Sequence, residues 1–88
     1  MSVYSKEVIV TCESGLYNRQ ATYFVQKANE FESSIWLESG NRKMNAKSLL
    51  GIMSMAILAG SAVTISASGA DAQVAVESLE ALLLKDVR

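Results

Sequence analysis

Apolar side chains in this chain switch repeatedly between a period of two and a period near 3.6, and those switches leave room for few folds. Residues 3–11 are rich in β-branched side chains, with Val8 and Val10 on one face and Glu7, Ile9 and Thr11 on the other, which predicts a strand. Ala21, Phe24, Val25, Ala28 and Phe31 then fall on one stripe of an amphipathic helix, with Asn18 placed to cap it. Ile35 and Leu37 alternate with Trp36 and Glu38, and Ser39-Gly40-Asn41 turns the chain into a short strand carrying Met44 and Ala46. An apolar run over 48–58 reads as a second helix that Gly60 stops. Val63, Ile65 and Ala67 alternate with Thr64, Ser66 and Ser68 as the last strand. Asp71 is placed to cap a final helix whose core side is Ala75, Val76, Leu79, Leu82 and Leu83. The order strand, helix, strand, strand, helix, strand, helix predicts an α+β open-faced sandwich. Four antiparallel strands would carry three helices on one face, with residues 1–88 forming a single domain.

Composition narrows the possible chemistry. At 88 residues the chain has room for one core, and with no proline its connections are expected to turn on Gly15, Gly40, Gly51, Gly60 and Gly69. A formal net charge of -1 gives no field to recruit nucleic acid or an anionic membrane, although between Ser39 and Ala70 the only charges are Arg42, Lys43 and Lys47. Histidine is absent, which removes histidine general-base chemistry, histidine–metal ligation and phosphohistidine together. The lone Cys12 has no disulfide partner within the chain and is expected to be a small buried side chain in a reducing cytoplasm. The opening MSVYSKE lacks the apolar core of a secretory signal, and LLGIMSMAILAG falls short of the roughly 20 residues a membrane span needs. The expectation is a soluble cytoplasmic protein with no cofactor and no metal.

The 48–58 segment carries more apolar side chains than one buried helix face needs. If it is helical, Ile52, Met55 and Ala56 meet the sheet while Leu49, Leu50 and Met53 face outward, rimmed by Lys47, Lys43 and Arg42. The same pattern also fits a segment wholly inside the core, as helix or strand. Ser48 is likewise either a plain N-cap or a place where a phosphate is well tolerated, because free N–H groups at a helix start favour an anion. Arg19, at the start of the first helix, is either a solvated side chain or an anion contact.

Two stretches carry a family resemblance. G-L-Y-N-R-Q-A at 15–21 resembles the active loop G-(I/L)-H-A-R-P-A of the HPr family, the small phosphocarrier proteins of the bacterial sugar phosphotransferase system. K-S-L-L-G-I-M-S-M at 47–55 resembles that family's regulatory helix, and S-A-S-G-A-D at 66–71 resembles its fourth strand and following turn. The departure is in the first motif: Tyr17 stands where the family has its phosphoryl-carrying histidine, Asn18 where it has alanine and Gln20 where it has proline. A phenol with a pKa of about 10 is mostly protonated at neutral pH and forms a comparatively stable ester, so Tyr17 is not expected to relay phosphate.

Within the family this pattern is most similar to the Crh branch, catabolite-repression homologues that also lack the active histidine. The resemblance implies a non-enzymatic regulator phosphorylated on Ser48 by HPr kinase/phosphorylase. The phosphorylated form would act as corepressor for CcpA, a LacI-family transcription factor, through Arg19, Lys47, Leu49, Leu50 and Met53. No direct nucleic-acid contact follows from it, and a homodimer through the first strand is one open assembly. Two other readings use the same residues. One is an HPr-fold docking protein without a serine switch; the other is a small acylphosphatase-like hydrolase holding phosphate on Arg19 and loop N–H groups, which lacks a convincing base.

Overall fold

The computed structural model describes residues 2–86. Within them the elements run β1 (Val3–Ile9), α1 (Asn18–Ala28), β2 (Ser34–Ser39), β3 (Arg42–Asn45), α2 (Leu49–Ser54), β4 (Ala62–Ser68) and α3 (Ala72–Leu84). The strands pair antiparallel in the spatial order β1-β4-β2-β3. This is the βαββαβα open-faced sandwich that the periodicities predict; the expected 1–88 span also takes in residues 1, 87 and 88, which lie outside the described residues.

Alternation along the strands decides the two faces. Val8, Val10, Ile35, Leu37, Val63, Ile65 and Ala67 are buried under the helices, where Phe24 and Val25 of α1 and Val76, Leu79 and Leu83 of α3 close the core. The opposite face carries Ser5, Glu7, Glu38, Thr64 and Ser66, and there the Ser5 hydroxyl donates to Ser66 at 2.9 Å and the Lys43 ammonium sits 5.3 Å from the centre of the Trp36 ring. Val3, Ile9 and Trp36 are exposed on the same face, which is therefore mixed in polarity. At the β1 edge, Lys6 points to the helix side and bonds Glu80 at 2.9 Å, a partnership that raises the Lys6 pKa through the hydrogen bond and the opposite charge. A charge on the buried side of an edge strand disfavours edge-to-edge pairing with another chain.

Four local expectations are corrected. Helix α2 ends at Ser54 and does not reach residue 58: Ala56 takes a positive φ of 52° and is exposed, while Ile57, beyond the helix, is buried. The cause is tertiary. The Leu16 N–H donates to the Ile57 carbonyl at 3.0 Å, holding that segment against the loop in its non-helical course, and the Arg42 guanidinium satisfies the freed Ser54 carbonyl at 2.8 Å. Ile52 and Met55 therefore reach the core and Ala56 does not. Asn18 is the first residue of α1, at φ 49°, and not its cap; that position belongs to Tyr17, whose side chain makes no capping bond. Gly51 lies inside α2 and turns nothing, whereas Gly15, Gly40, Gly60 and Gly69 all have positive φ.

Asp71 does occupy the N-cap of α3, but its carboxylate reaches across to the α1–β2 loop instead of capping. It accepts from the Glu32 N–H at 2.9 Å, the Ser33 N–H at 3.0 Å and the Ser33 hydroxyl. The Ser33 hydroxyl and the two amides hold its pKa below the ordinary aspartate value. A carboxyl depressed in the folded state stabilises the fold above the unfolded pKa, near 4, and loses that contribution as pH falls through the folded value. The expected result is a Tm that drops below about pH 4 in wild type and drops less steeply in Asp71→Ala, read by thermal melts across pH 2 to 6.

Candidate functional site

The segment 11–20 is held in place by the carboxyl end of α3. A helix end leaves carbonyls without intrahelical partners, and here the loop supplies donors for them. The Thr11 and Cys12 N–H groups donate to the Leu83 carbonyl at 2.9 and 3.0 Å, and the Thr11 hydroxyl donates to the Leu84 carbonyl at 2.8 Å. Gln20 is buried, and its Nε2 donates to the Leu82 carbonyl and, at 3.1 Å, to the Lys85 carbonyl. The Asp86 carboxylate in turn accepts from the Glu13 and Ser14 N–H groups and the Ser14 hydroxyl. Cys12 is buried as expected, and burial, with the nearby Asp86 charge, pushes its thiol pKa up.

Two predicted site residues sit at the open tip of this loop. Tyr17 is 58% exposed and Arg19 is exposed one residue into α1. With Glu13, Ser14, Asn18, Gln20 and Asp86 they line an open pocket of about 470 Å³. Ser48, Leu49 and Leu50 are not part of its lining. They form a second feature, at the start of α2.

Ser48 is an exposed N-cap in extended backbone, and its Oγ accepts from the Gly51 N–H at 3.2 Å. Leu50 is 83% exposed and Leu49 39% exposed, while Met53 is half-buried against the core, so the outward face expected of three residues is carried by two. The expected basic rim is dispersed. The Lys47 ammonium donates to the Phe31 carbonyl at 2.7 Å, Arg42 caps the end of α2, and Lys43 lies on the open face of the sheet over Trp36. Helix α1 packs on α2, and the Leu16–Ile57 hydrogen bond joins the two segments, so loop tip and α2 belong to one side of the molecule.

Sequence reasoning missed Gln20 as an anchor. The signal was available: Gln20 precedes Phe24 by four residues and so shares the inward stripe, where a buried amide must find partners. Replacing it by leucine leaves the Leu82 and Lys85 carbonyls without that donor. The expected cost is about 2 kcal/mol, with faster amide exchange across 13–19, measured by chemical denaturation and hydrogen exchange.

Comparison with known proteins places these features in a family. The model for the PTS HPr component phosphorylation site matches residues 4–85. The HPr-like protein Crh of Halalkalibacterium halodurans is 46% identical over 92% of this chain and 96% of its own length. The phosphocarrier protein HPr of Haemophilus influenzae is 43% identical over 92% and 95%. Among solved structures, an HPr from Bacillus anthracis superposes with a TM-score of 0.91 at 43% identity, covering 94% of this chain and 99% of that one. Crh of Bacillus subtilis, whose crystal structure is described as a swapped, intertwined dimer, gives 0.72 at 45% identity, covering 89% and 90%. The likeness to Crh and to HPr proper is thus about equal, and family members serve as phosphocarriers or regulators. With the motifs at 15–21 and 47–55 lying on the loop tip and on α2, the chain belongs to the HPr family of the sugar phosphotransferase system.

Proposed function

We propose that this chain is a Crh-like regulator and not a phosphocarrier, a single HPr-like domain over 1–88 that acts by binding proteins in the cytoplasm and catalyses nothing itself. The observation that carries the reading is the exchange at the loop tip: exposed Tyr17 stands in the phosphohistidine position of a chain with no histidine, while Ser48 and its exposed leucines are retained. Ser48 is the site phosphorylated by HPr kinase/phosphorylase, and the phosphorylated form is corepressor for a CcpA-type LacI-family regulator in carbon catabolite repression. Leu49 and Leu50 supply apolar anchors, with Met53 behind them. Arg19 and Lys47 supply charge, Lys47 by releasing the Phe31 carbonyl.

A six-residue α2 has little macrodipole, so tolerance of the phosphate rests on local donors: its oxygens take over the Gly51 N–H that Ser48 Oγ now holds. Incubation with HPr kinase/phosphorylase and ATP, in parallel with enzyme I and phosphoenolpyruvate, followed by mass-spectrometric mapping, tests the reading. One phosphate on Ser48 from the kinase and none from enzyme I is expected; a phosphate transferred from enzyme I, or an unmodified Ser48, overturns it.

The exposure of Leu50 also supports a second reading, constitutive docking on a metabolic enzyme. Partner capture that is indifferent to kinase and ATP would select it. The swapped dimer described for Bacillus subtilis Crh makes a homodimer the assembly to test by sedimentation.

A further inference from the structure

We infer that Asn29 is a positioning residue for phosphoryl transfer to Ser48, an inference that rests on the proposed function. Asn29 is the C-cap of α1, far from Ser48 in sequence, yet its side chain spans the gap between the two helices. Its Nδ2 donates to the Val25 carbonyl at 2.9 Å, within the last turn of α1, and to the Lys47 carbonyl at 3.3 Å. Only the NH₂ end of an asparagine side chain can serve two carbonyls, so the chemistry fixes which way the amide points.

The Lys47 carbonyl belongs to the peptide that leads into Ser48. The other polar groups of that short segment are tied down as well. The Lys47 N–H donates to Asn45 Oδ1 at 2.8 Å, the Ser48 N–H donates to the Asn45 carbonyl at 3.1 Å, and the Lys47 ammonium donates to the Phe31 carbonyl at 2.7 Å. The 47–48 peptide is therefore gripped from the β3 side by Asn45 and from the α1 side by Asn29. That plane together with the Ser48 φ of -106° sets the direction of the Ser48 Cα–Cβ bond, and one rotation about it releases Oγ from the Gly51 N–H it accepts from.

That rigidity matters for the transfer. In the reaction the Ser48 Oγ–phosphorus bond forms as the bond from the γ-phosphorus of ATP to its bridging oxygen breaks. ADP departs with the electron pair, and the hydroxyl proton passes to a base of the kinase. In-line displacement is sensitive to small errors in nucleophile placement, so a serine presented on a fixed peptide starts close to the reacting geometry. The apolar anchors Leu49 and Leu50 lie beyond this peptide and make no use of Asn29. Loss of the Asn29 bridge should therefore slow the chemical step without weakening docking.

Steady-state phosphorylation of wild type, Asn29→Ala and Asn29→Asp by HPr kinase/phosphorylase tests this. Asn29→Asp keeps the shape but sets an acceptor against two carbonyls. The expected result is a kcat reduced on the order of tenfold in both variants, with KM unchanged. Circular dichroism and thermal melts on the same samples, with rates taken well below each variant's Tm, exclude loss of fold as the cause. A kcat equal to wild type, or a change confined to KM, overturns the positioning role. Absence of phosphate on wild-type Ser48 in the same assay sinks the proposed function instead, so the two failures are distinguishable.

Discussion

Replacing Gly15 by alanine is expected to destabilise the fold by about 3 to 5 kcal/mol, enough to lower Tm by on the order of 12 to 40 °C in a domain of this size. Three effects act together. Gly15 has φ 62°, a conformation that costs a residue with a Cβ roughly 1 to 2 kcal/mol. A Cβ there would lie 2.3 Å from the Ile57 carbonyl oxygen and 3.0 Å from the Leu58 Cα, and because both are main-chain atoms no side-chain rotation relieves the clash. Moving the two loop segments apart would then break the Leu16 N–H bond to that same carbonyl, worth about 1 kcal/mol. Gly40 is the control. It has φ 58° but open space around its Cβ position, so Gly40→Ala should lose only the conformational part, about 1 kcal/mol. Urea denaturation of both variants measures the difference, and equal losses would show that the close approach at Ile57 is unimportant.

Ser48→Ala is expected to have the largest functional effect, abolishing both kinase-dependent phosphate incorporation and kinase-dependent capture of a CcpA-type regulator. The structural cost should be small. Ser48 is exposed, and among the described residues its side chain bonds only the Gly51 N–H, so losing that bond should cost about 1 kcal/mol, the usual figure for an N-cap. The phosphate instead places nearly two negative charges beside exposed Leu49 and Leu50, giving a partner an ionic contact next to apolar anchors. Pull-down with wild type and Ser48→Ala, each with and without kinase and ATP, separates the outcomes. Capture that persists in the alanine variant would assign the α2 face to constitutive docking.

Most of the architecture could be read from the chain because it depends on period. Val8 and Val10, Ile35 and Leu37, and Val63, Ile65 and Ala67 alternate cleanly, and one buried sheet face follows from that alone. The identity of Tyr17 and the absence of histidine likewise need no coordinates, since a side chain's chemistry is a property of the residue. The excess of apolar side chains over 48–58 left two readings open, an outward face or a segment wholly inside the core, and the exposure of Leu49 and Leu50 selects the first.

What the chain could not announce are contacts between residues distant in sequence. The end of α2 at Ser54 is set by the docking of Leu16 on Ile57, the role of Asp71 by the Ser33 loop it meets, and the burial of Gln20 by the open carbonyls of α3. Lys47 looked like a rim charge until the Phe31 carbonyl claimed its ammonium, and Asn29 carried no local signal at all. Local pattern determines which face of an element is apolar. Where an element stops and which partner a polar side chain finds depend on groups brought near only by the completed fold, and there the tertiary structure decided.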